Sequence, residues 1–324
     1  MATYKGIQGY SVQKLSSDPT ASEVEGQLWY NSGTGKFKIA VAGAGTWSSG
    51  GAQNSSVALR GTAGTKDAAI AMGGYPYTAN TETYNGSTWT EVANLNQPRS
   101  SMGTSGTSTA MIAIAGYNPG DQKIVELWDG TSWTEVADLN TARQTPMSIG
   151  KVSTAAVCAG GQPPGSGTGL SETYNGTSWT EGNNLTTARY EGGQAGTSTA
   201  GMVMSGYDGS RTKNAESYDG TCWSEENNVL VGRTKAGSGG TQTSALFFGG
   251  VPTPGSYVAN NETWNGTSWT ESTDLATGRS CSMSCGTDNG SALAIGGNTG
   301  PTTFTTVTEE WTSPVYTIKS VTVS

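Results

Sequence analysis

The sequence predicts an all-β fold built from like units, and three observations carry that prediction. A ten-residue motif begins at Glu82, Glu126, Glu172, Glu216 and Glu262, with starts 44, 46, 44 and 46 residues apart. A run rich in Ala and Gly precedes each copy ("DAAIAMGG", "TAMIAIAG", "TAAVCAGG", "TAGMVMSG", "TSALFFGG"), and a sixth, "SALAIGG", precedes Glu309. An Arg follows each motif Trp by ten residues (Arg99, Arg143, Arg189, Arg233, Arg279), and an aliphatic residue follows it by six (Leu95, Leu139, Leu185, Val229, Leu275). A period in the forties made of short strands indicates a β-propeller, whose four-stranded blades cannot bury their faces alone. Six inner strand pairs make it six-bladed rather than seven-bladed.

Within each unit the Ala/Gly-rich pair supplies strands 1 and 2, because small side chains suit the crowded centre where blades converge. The motif, "ETYNGTSWTE" in its third copy, supplies strands 3 and 4. Its Asn-Gly or Asp-Gly pair predicts a two-residue type I′ turn, which needs positive φ at both positions. Closing at Asn175-Gly176 sets Tyr174 opposite Thr177 and Glu172 opposite Trp179, so that Tyr174 and Trp179 lie diagonally on one face. Trp89, Trp133, Trp179, Trp223 and Trp269 are thus expected to pack on neighbouring blades, each contributing on the order of 2–3 kcal/mol when buried. The Asn-Gly-Ser/Thr triplets also match glycosylation sequons, but turn chemistry explains them.

The last unit has "EEWTSP" and no complete hairpin, while "LWYNSGTGKFKIAVAGAGTW" over 28–47 resembles a loosened copy. That segment is expected to complete the sixth blade, so that pairing of the chain's two ends protects the sheet edges. The domain reading is an attachment segment over 1–27, an N-terminal hairpin over 28–54, the propeller over 55–312 and a C-terminal strand or tail over 313–324.

Composition narrows the function. The chain has 324 residues, net charge −8, no His and four Cys. Nucleic acid is not an expected partner, since phosphate binding needs clustered Lys and Arg. No apolar stretch approaches the roughly 18–20 residues of a membrane span, and "MATYKGIQGY" lacks the features of a signal peptide, so no membrane insertion or processing is expected. Without His the commonest metal ligand and general base are missing; Cys281 and Cys285 have no evident co-ligands, and neither metal nor cofactor is expected.

The ordered marks resemble a kelch-type repeat: an inner strand ending in Gly-Gly, then Glu-x-Tyr-Asp or similar, then Trp, then an Arg opening the next unit. "PRSSMGTSGTSTAMIAIAGY" followed by "VELWDGTSWTEVADLNTAR" shows the whole order, and the resemblance covers roughly 55–311. It departs in Gly116-Tyr117 and Gly206-Tyr207. The Thr/Ser/Gly-rich style, with "EGQLWYNSGTGKFKIA", is similar to virion and tail proteins of tailed bacteriophages, marine ones especially, in which "GQLWYN" segments precede kelch-like arrays. That similarity implies a virion component assembled in the host cytoplasm. It would act as a tail or fibre adhesin, or as a capsid decoration or connector subunit, with other virion proteins as partners and a homo-oligomer as one form.

Strand alternation sends connections 2→3 and 4→1 to one face and the Asn-Gly tips to the other. The tips are nearly constant while the 2→3 connections vary, and recognition usually lives where loops diversify over a constant frame. Tyr75, Tyr77, Tyr117, Tyr207 and Tyr257, with Arg211, are the ligand candidates there, for a host surface glycan or protein. By resemblance to kelch propellers, Arg60, Arg99, Arg143, Arg189, Arg233 and Arg279 are also candidates, as a ring clamping an acidic ligand. The alternative pairs each Arg with the equally periodic Glu82, Glu126, Glu172, Glu216, Glu262 and Glu309. An intracellular protein-binding propeller remains open. Some propellers are sialidases, but a catalytic constellation should break repeat symmetry, and the regular recurrence of these residues leads to the expectation of no enzyme.

Overall fold

The computed structural model describes residues 12–21, 26–280 and 284–322. The attachment segment expected over 1–27 therefore lies largely, and Cys281 wholly, outside the described residues. The chain divides into two compact units, Thr46–Thr312 and a smaller one formed by the two chain ends.

The larger unit is made of four-stranded antiparallel sheets. The first runs Gly61–Gly64, Ala69–Met72, Thr81–Tyr84, Trp89–Val92, and like sheets begin at Gly103, Met147, Gly193 and Gly237. A sixth combines Ser284–Asp288, Ser291–Ile295 and Thr308–Thr312 with Thr46–Ser49 as its outermost strand. The first strand of each sheet neighbours that of the next, and the first strand of the sixth sheet neighbours that of the first, so the sheets close a ring. This is the arrangement of a propeller. Small residues line the axis because the inner strands nearly touch: a Cβ on Gly103 would lie 2.1 Å from Ser148 Oγ of the following sheet.

The outer hairpin differs from the two-residue turn that Asn-Gly predicts. Tyr174 stands directly opposite Trp179, Thr173 opposite Thr180 and Glu172 opposite Glu181, leaving a four-residue loop. Gly176 alone has positive φ (93°) in that loop, and Asn175 Oδ1 accepts the N–H groups of Thr177 and Ser178, both at 2.9 Å. The Asn side chain replaces the backbone geometry that a type I′ turn requires. Tyr and Trp consequently lie as a direct cross-strand pair, ring centroids 5.0 Å apart.

The Trp residues fasten each sheet to the one before. Trp133, Trp179 and Trp269 are buried and donate their indole N–H to Ala93, Ala137 and Asn227 carbonyls of the preceding sheet at 3.0–3.1 Å. Trp47 does the same in the sixth sheet, donating to Thr273 O at 3.1 Å, and faces Trp311 in register.

The region 28–54 does not act as one hairpin. Thr46–Ser49 lies in the sixth sheet, whereas Leu28–Asn31 and Lys36–Ala42 belong to the smaller unit. There they pair with each other, with Gln13–Leu15 in parallel, and with Tyr316–Ser320. Asp18 ties this sheet by accepting hydrogen bonds from Trp29 Nε1 and Asn31 Nδ2. No helix among the described residues is long and apolar enough to cross a membrane.

Candidate functional site

The periodic Arg and Glu residues hold the frame and are removed from any ligand. Arg60–Glu82, Arg143–Glu172, Arg189–Glu216, Arg233–Glu262 and Arg279–Glu309 pair at 2.6–3.0 Å, and Arg99 pairs with Glu126, with every Arg side chain at most 1% exposed. Each pair lies inside one sheet. The other carboxylate oxygen of the Glu accepts a backbone N–H from the connection that arrives from the preceding sheet, as from Asn96, Asn140, Thr186 and Leu230 at 2.7–2.8 Å. A carboxylate with both oxygens committed and a guanidinium buried away from the surface do not form a clamp for an acidic ligand, so the reading of Arg99, Arg143, Arg189, Arg233 and Arg279 as ligand residues is corrected. Arg60 enters from three residues farther along than its counterparts. Its Nη1 reaches both Glu82 Oε1 and Gln53 Oε1 at 2.7 Å, Gln53 standing where the other units have an aliphatic residue.

The face carrying the 2→3 and 4→1 connections has a collar about the axis. Leu59, Ser101, Thr145, Glu191 and Lys235 occupy equivalent positions and share φ of 50–58°. The backbone N–H of Ser101 donates to Leu59 O, Thr145 to Ser101, Glu191 to Thr145 and Lys235 to Glu191, at 2.8–3.3 Å. This is the left-handed region, costly for non-Gly residues and worst for β-branched Thr145, and each costs on the order of 1–3 kcal/mol. The inter-sheet hydrogen bonds over-determine the conformation and aim these side chains at the mouth of the channel.

Above the collar lies an off-centre cavity of ≈ 390 Å³, lined by Tyr190, Glu191, Tyr207, Arg211, Lys235 and Tyr257 together with Gln162 and Asn298. The volume lies toward the small end of ligand pockets. Tyr190 and Tyr207 have ring centroids 5.4 Å apart and bridge the fourth sheet's entry to its 2→3 connection. Lys235 Nζ lies 3.4 Å from Glu191 Oε1, so these charges offset each other. Arg211 then supplies the unbalanced charge of the lining, and its Nε is buried with no hydrogen-bond partner among the described residues. Burial raises the Tyr190 pKa, with Glu191 and Tyr207 adding to the rise, which keeps the phenol protonated and able to donate.

The structure thus brings Tyr207, Arg211 and Tyr257 together and separates them from Tyr75, Tyr77 and Tyr117. Tyr75 and Tyr77 are 45% and 37% exposed; Tyr77 lies 5.9 Å from Tyr117 and Tyr75 lies 6.3 Å from Phe304, ring to ring. Sequence reasoning missed Tyr190, Glu191 and Lys235. The available signal was that the second residue after the buried Arg varies from unit to unit (Ser101, Thr145, Glu191, Lys235) while the Arg does not. Among the described residues no group of three or more His, Cys, Asp or Glu is placed to hold a metal.

No family model matches the sequence, and no curated protein matches it by sequence. Solved structures do match. One, titled "Structure of YjhT", is similar over 82% of this chain and 99% of that chain, with a TM-score of 0.69 at 14% identity. The likeness supports the propeller fold. The expectation of no enzyme is withdrawn on this likeness, which at 14% identity shows the fold and no activity either way. The cavity lining also breaks the repeat symmetry from which that expectation was argued.

Proposed function

We propose that the chain is a six-bladed, kelch-like propeller that recognises a glycan or protein on a host surface through the face carrying its variable loops, as a tail or fibre component of a virion. The observation that supports recognition is the asymmetric cavity: Tyr190, Tyr207, Tyr257 and Arg211 converge on one side of a frame that is otherwise repeated. Aromatic walls with hydroxyl edges and one uncompensated guanidinium suit a hydroxylated ligand, whose rings stack and whose oxygens accept hydrogen bonds. The exposed Tyr75 and Tyr77 extend the same face outward, and many copies on a particle would turn weak contacts into firm attachment. The virion setting rests on the resemblance of residues 25–40 to phage proteins.

Binding of the purified protein to an array of surface glycans and to host cells tests the reading. Y190A/Y207A and R211A are expected to lower binding by tenfold or more, and Y75A/Y77A/Y117A to slow host adsorption, with thermal transitions nearly unchanged. Undiminished binding and adsorption in all three variants would reject the loop face.

A second reading, bond cleavage in the same cavity, is favoured by Tyr190 and Glu191, adjacent in the chain and both lining it. Mass spectrometry of array glycans after incubation distinguishes the two readings: released sugar supports cleavage, and intact bound glycan supports recognition alone.

A further inference from the structure

The loop-face cavity lies where three neighbouring units place different side chains at one equivalent position. In the third, fourth and fifth units the 2→3 connection closes on a hydrogen bond from Thr168, Thr212 or Val258 N–H to the carbonyl of Gly161, Gly206 or Gly250, at 2.9–3.1 Å. The residue before each donor is Gly167, Arg211 or Tyr257. In the first and sixth units the same bond sets Tyr77 and Phe304 at this place. Gly167 makes room for the Tyr190 ring of the next sheet's entry: a Cβ there would lie 3.0 Å from Tyr190 Cδ1. The fourth unit instead puts a cation into the space, and the fifth walls it with an aromatic ring.

Charge is unevenly placed here. The chain carries 25 acidic and 17 basic side chains, yet the cavity lining holds two cations, Arg211 and Lys235, against one anion, Glu191. Lys235 Nζ is offset by Glu191 Oε1 at 3.4 Å. Asp208, three residues before Arg211 in the same connection, turns its Oδ1 to the Ser210 N–H and hydroxyl, both at 3.1 Å. Arg211 forms no ion pair among the described residues, and its Nε is buried without an acceptor. A guanidinium edge removed from water and left unpaired is costly, and a ligand oxygen placed there relieves that cost. The planar fork of Arg matches the two oxygens of a carboxylate, which it meets with parallel hydrogen bonds. Tyr190 stays protonated, so it adds a donor and no negative charge.

We propose that the sugar taken by this cavity is an acidic one, whose carboxylate pairs with the Arg211 guanidinium while its ring lies against Tyr207 and Tyr257. The inference rests on the glycan reading above and narrows it to carboxylated sugars. A sulfate ester carries the same charge, but its tetrahedral oxygens fit the flat guanidinium edge less closely than a carboxylate does.

The test is binding of the intact chain to an array of sugar-acid glycans, hexuronate-containing ones among them, each printed beside the same glycan with its carboxylate reduced to an alcohol and beside sulfated neutral glycans. The wild type is expected to bind a carboxylated glycan at least about tenfold more tightly than its reduced twin, with the difference shrinking as salt rises. R211M is expected to bring the carboxylated glycans down to the level of their reduced twins, and E191Q, which removes the one carboxylate of the lining, to widen the wild-type difference. The comparison of twins needs no variant, so it decides even where R211M does not fold. Equal binding of the twins, tighter binding of sulfated than of carboxylated glycans, or a folded R211M that keeps the full preference overturns the proposal and leaves glycan recognition standing. Binding to no glycan on the array rejects recognition itself, and this proposal with it.

Discussion

Replacing Glu172 by Gln removes one charge from the frame and keeps its shape. In the folded protein the Glu172 carboxylate accepts from Arg143 Nη2 at 2.6 Å, from Asn140 N at 2.8 Å and from Asn140 Nδ2 at 2.9 Å, with its side chain 1% exposed. Gln can still accept the Asn140 N–H, so the connection from the preceding sheet survives, but the Arg143 guanidinium is left buried with only the Leu170 carbonyl at 3.2 Å. Breaking a buried pair from one side costs about 3–5 kcal/mol, because the remaining charge is uncompensated. The retained carbonyl bond places E172Q near the lower end, about 3 kcal/mol. For a domain of this size about 2–4 °C accompanies each kcal/mol, so the transition should fall by roughly 6–12 °C. Removing both charges, as R143M/E172L, should destabilise less than the sum of the two single changes, since neither partner is then stranded. Differential scanning calorimetry measures both. A shift under about 1 °C for E172Q, or strict additivity in the cycle, would show that the pair does not hold the sheets.

Trp179→Ala should destabilise by about 3–5 kcal/mol, as expected for a large buried ring, and an unaltered urea midpoint would contradict its packing on the preceding sheet. The phenol of Tyr84, raised to about 12 first by burial and then by its hydrogen bond to Glu310, gives an alkaline signature. Because the folded state holds this proton more tightly than the unfolded chain, the stabilisation is complete below about pH 10 and is lost as the pH rises towards 12. Y84F should flatten that limb of the stability profile, and an unchanged limb would rule out Tyr84 as its source.

The frame was legible in the sequence because its marks recur with one period. Glu172 and the Arg189 that follows it stand 17 residues apart, as in every complete motif, whereas Arg143 and its partner Glu172 are 29 apart and Arg99 and Glu126 are 27 apart because the 2→3 loop between them varies. Trp179 keeps its place because it fills a gap between sheets. Where a side chain substitutes for backbone geometry, the pattern misled: Asn175 suits a type I′ turn by type, yet its Oδ1 closes a longer loop. Arg60 shows a different limit. Its offset from Trp47 is thirteen residues, and only in three dimensions does its guanidinium arrive at Glu82 from another backbone position. The cavity was hardest to read, because Glu191, Lys235 and Tyr190 occupy repeat positions that carry other residues elsewhere. Their chemistry comes from differing across the ring, which periodicity discards. Tyr75 and Tyr77 drew notice as aromatics in variable loops, whereas Tyr190 follows a buried Arg directly and looks like part of the frame.

The central claim is that ligand recognition takes place at the loop-face cavity. Its most direct test is a structure of the protein bound to a glycan selected from the array. The account predicts ligand density against Tyr190, Tyr207 and Arg211, above the collar formed by Leu59, Ser101, Thr145, Glu191 and Lys235. Density at the Asn-Gly hairpin tips around Asn175, or on the opposite face beside Lys151, would contradict it.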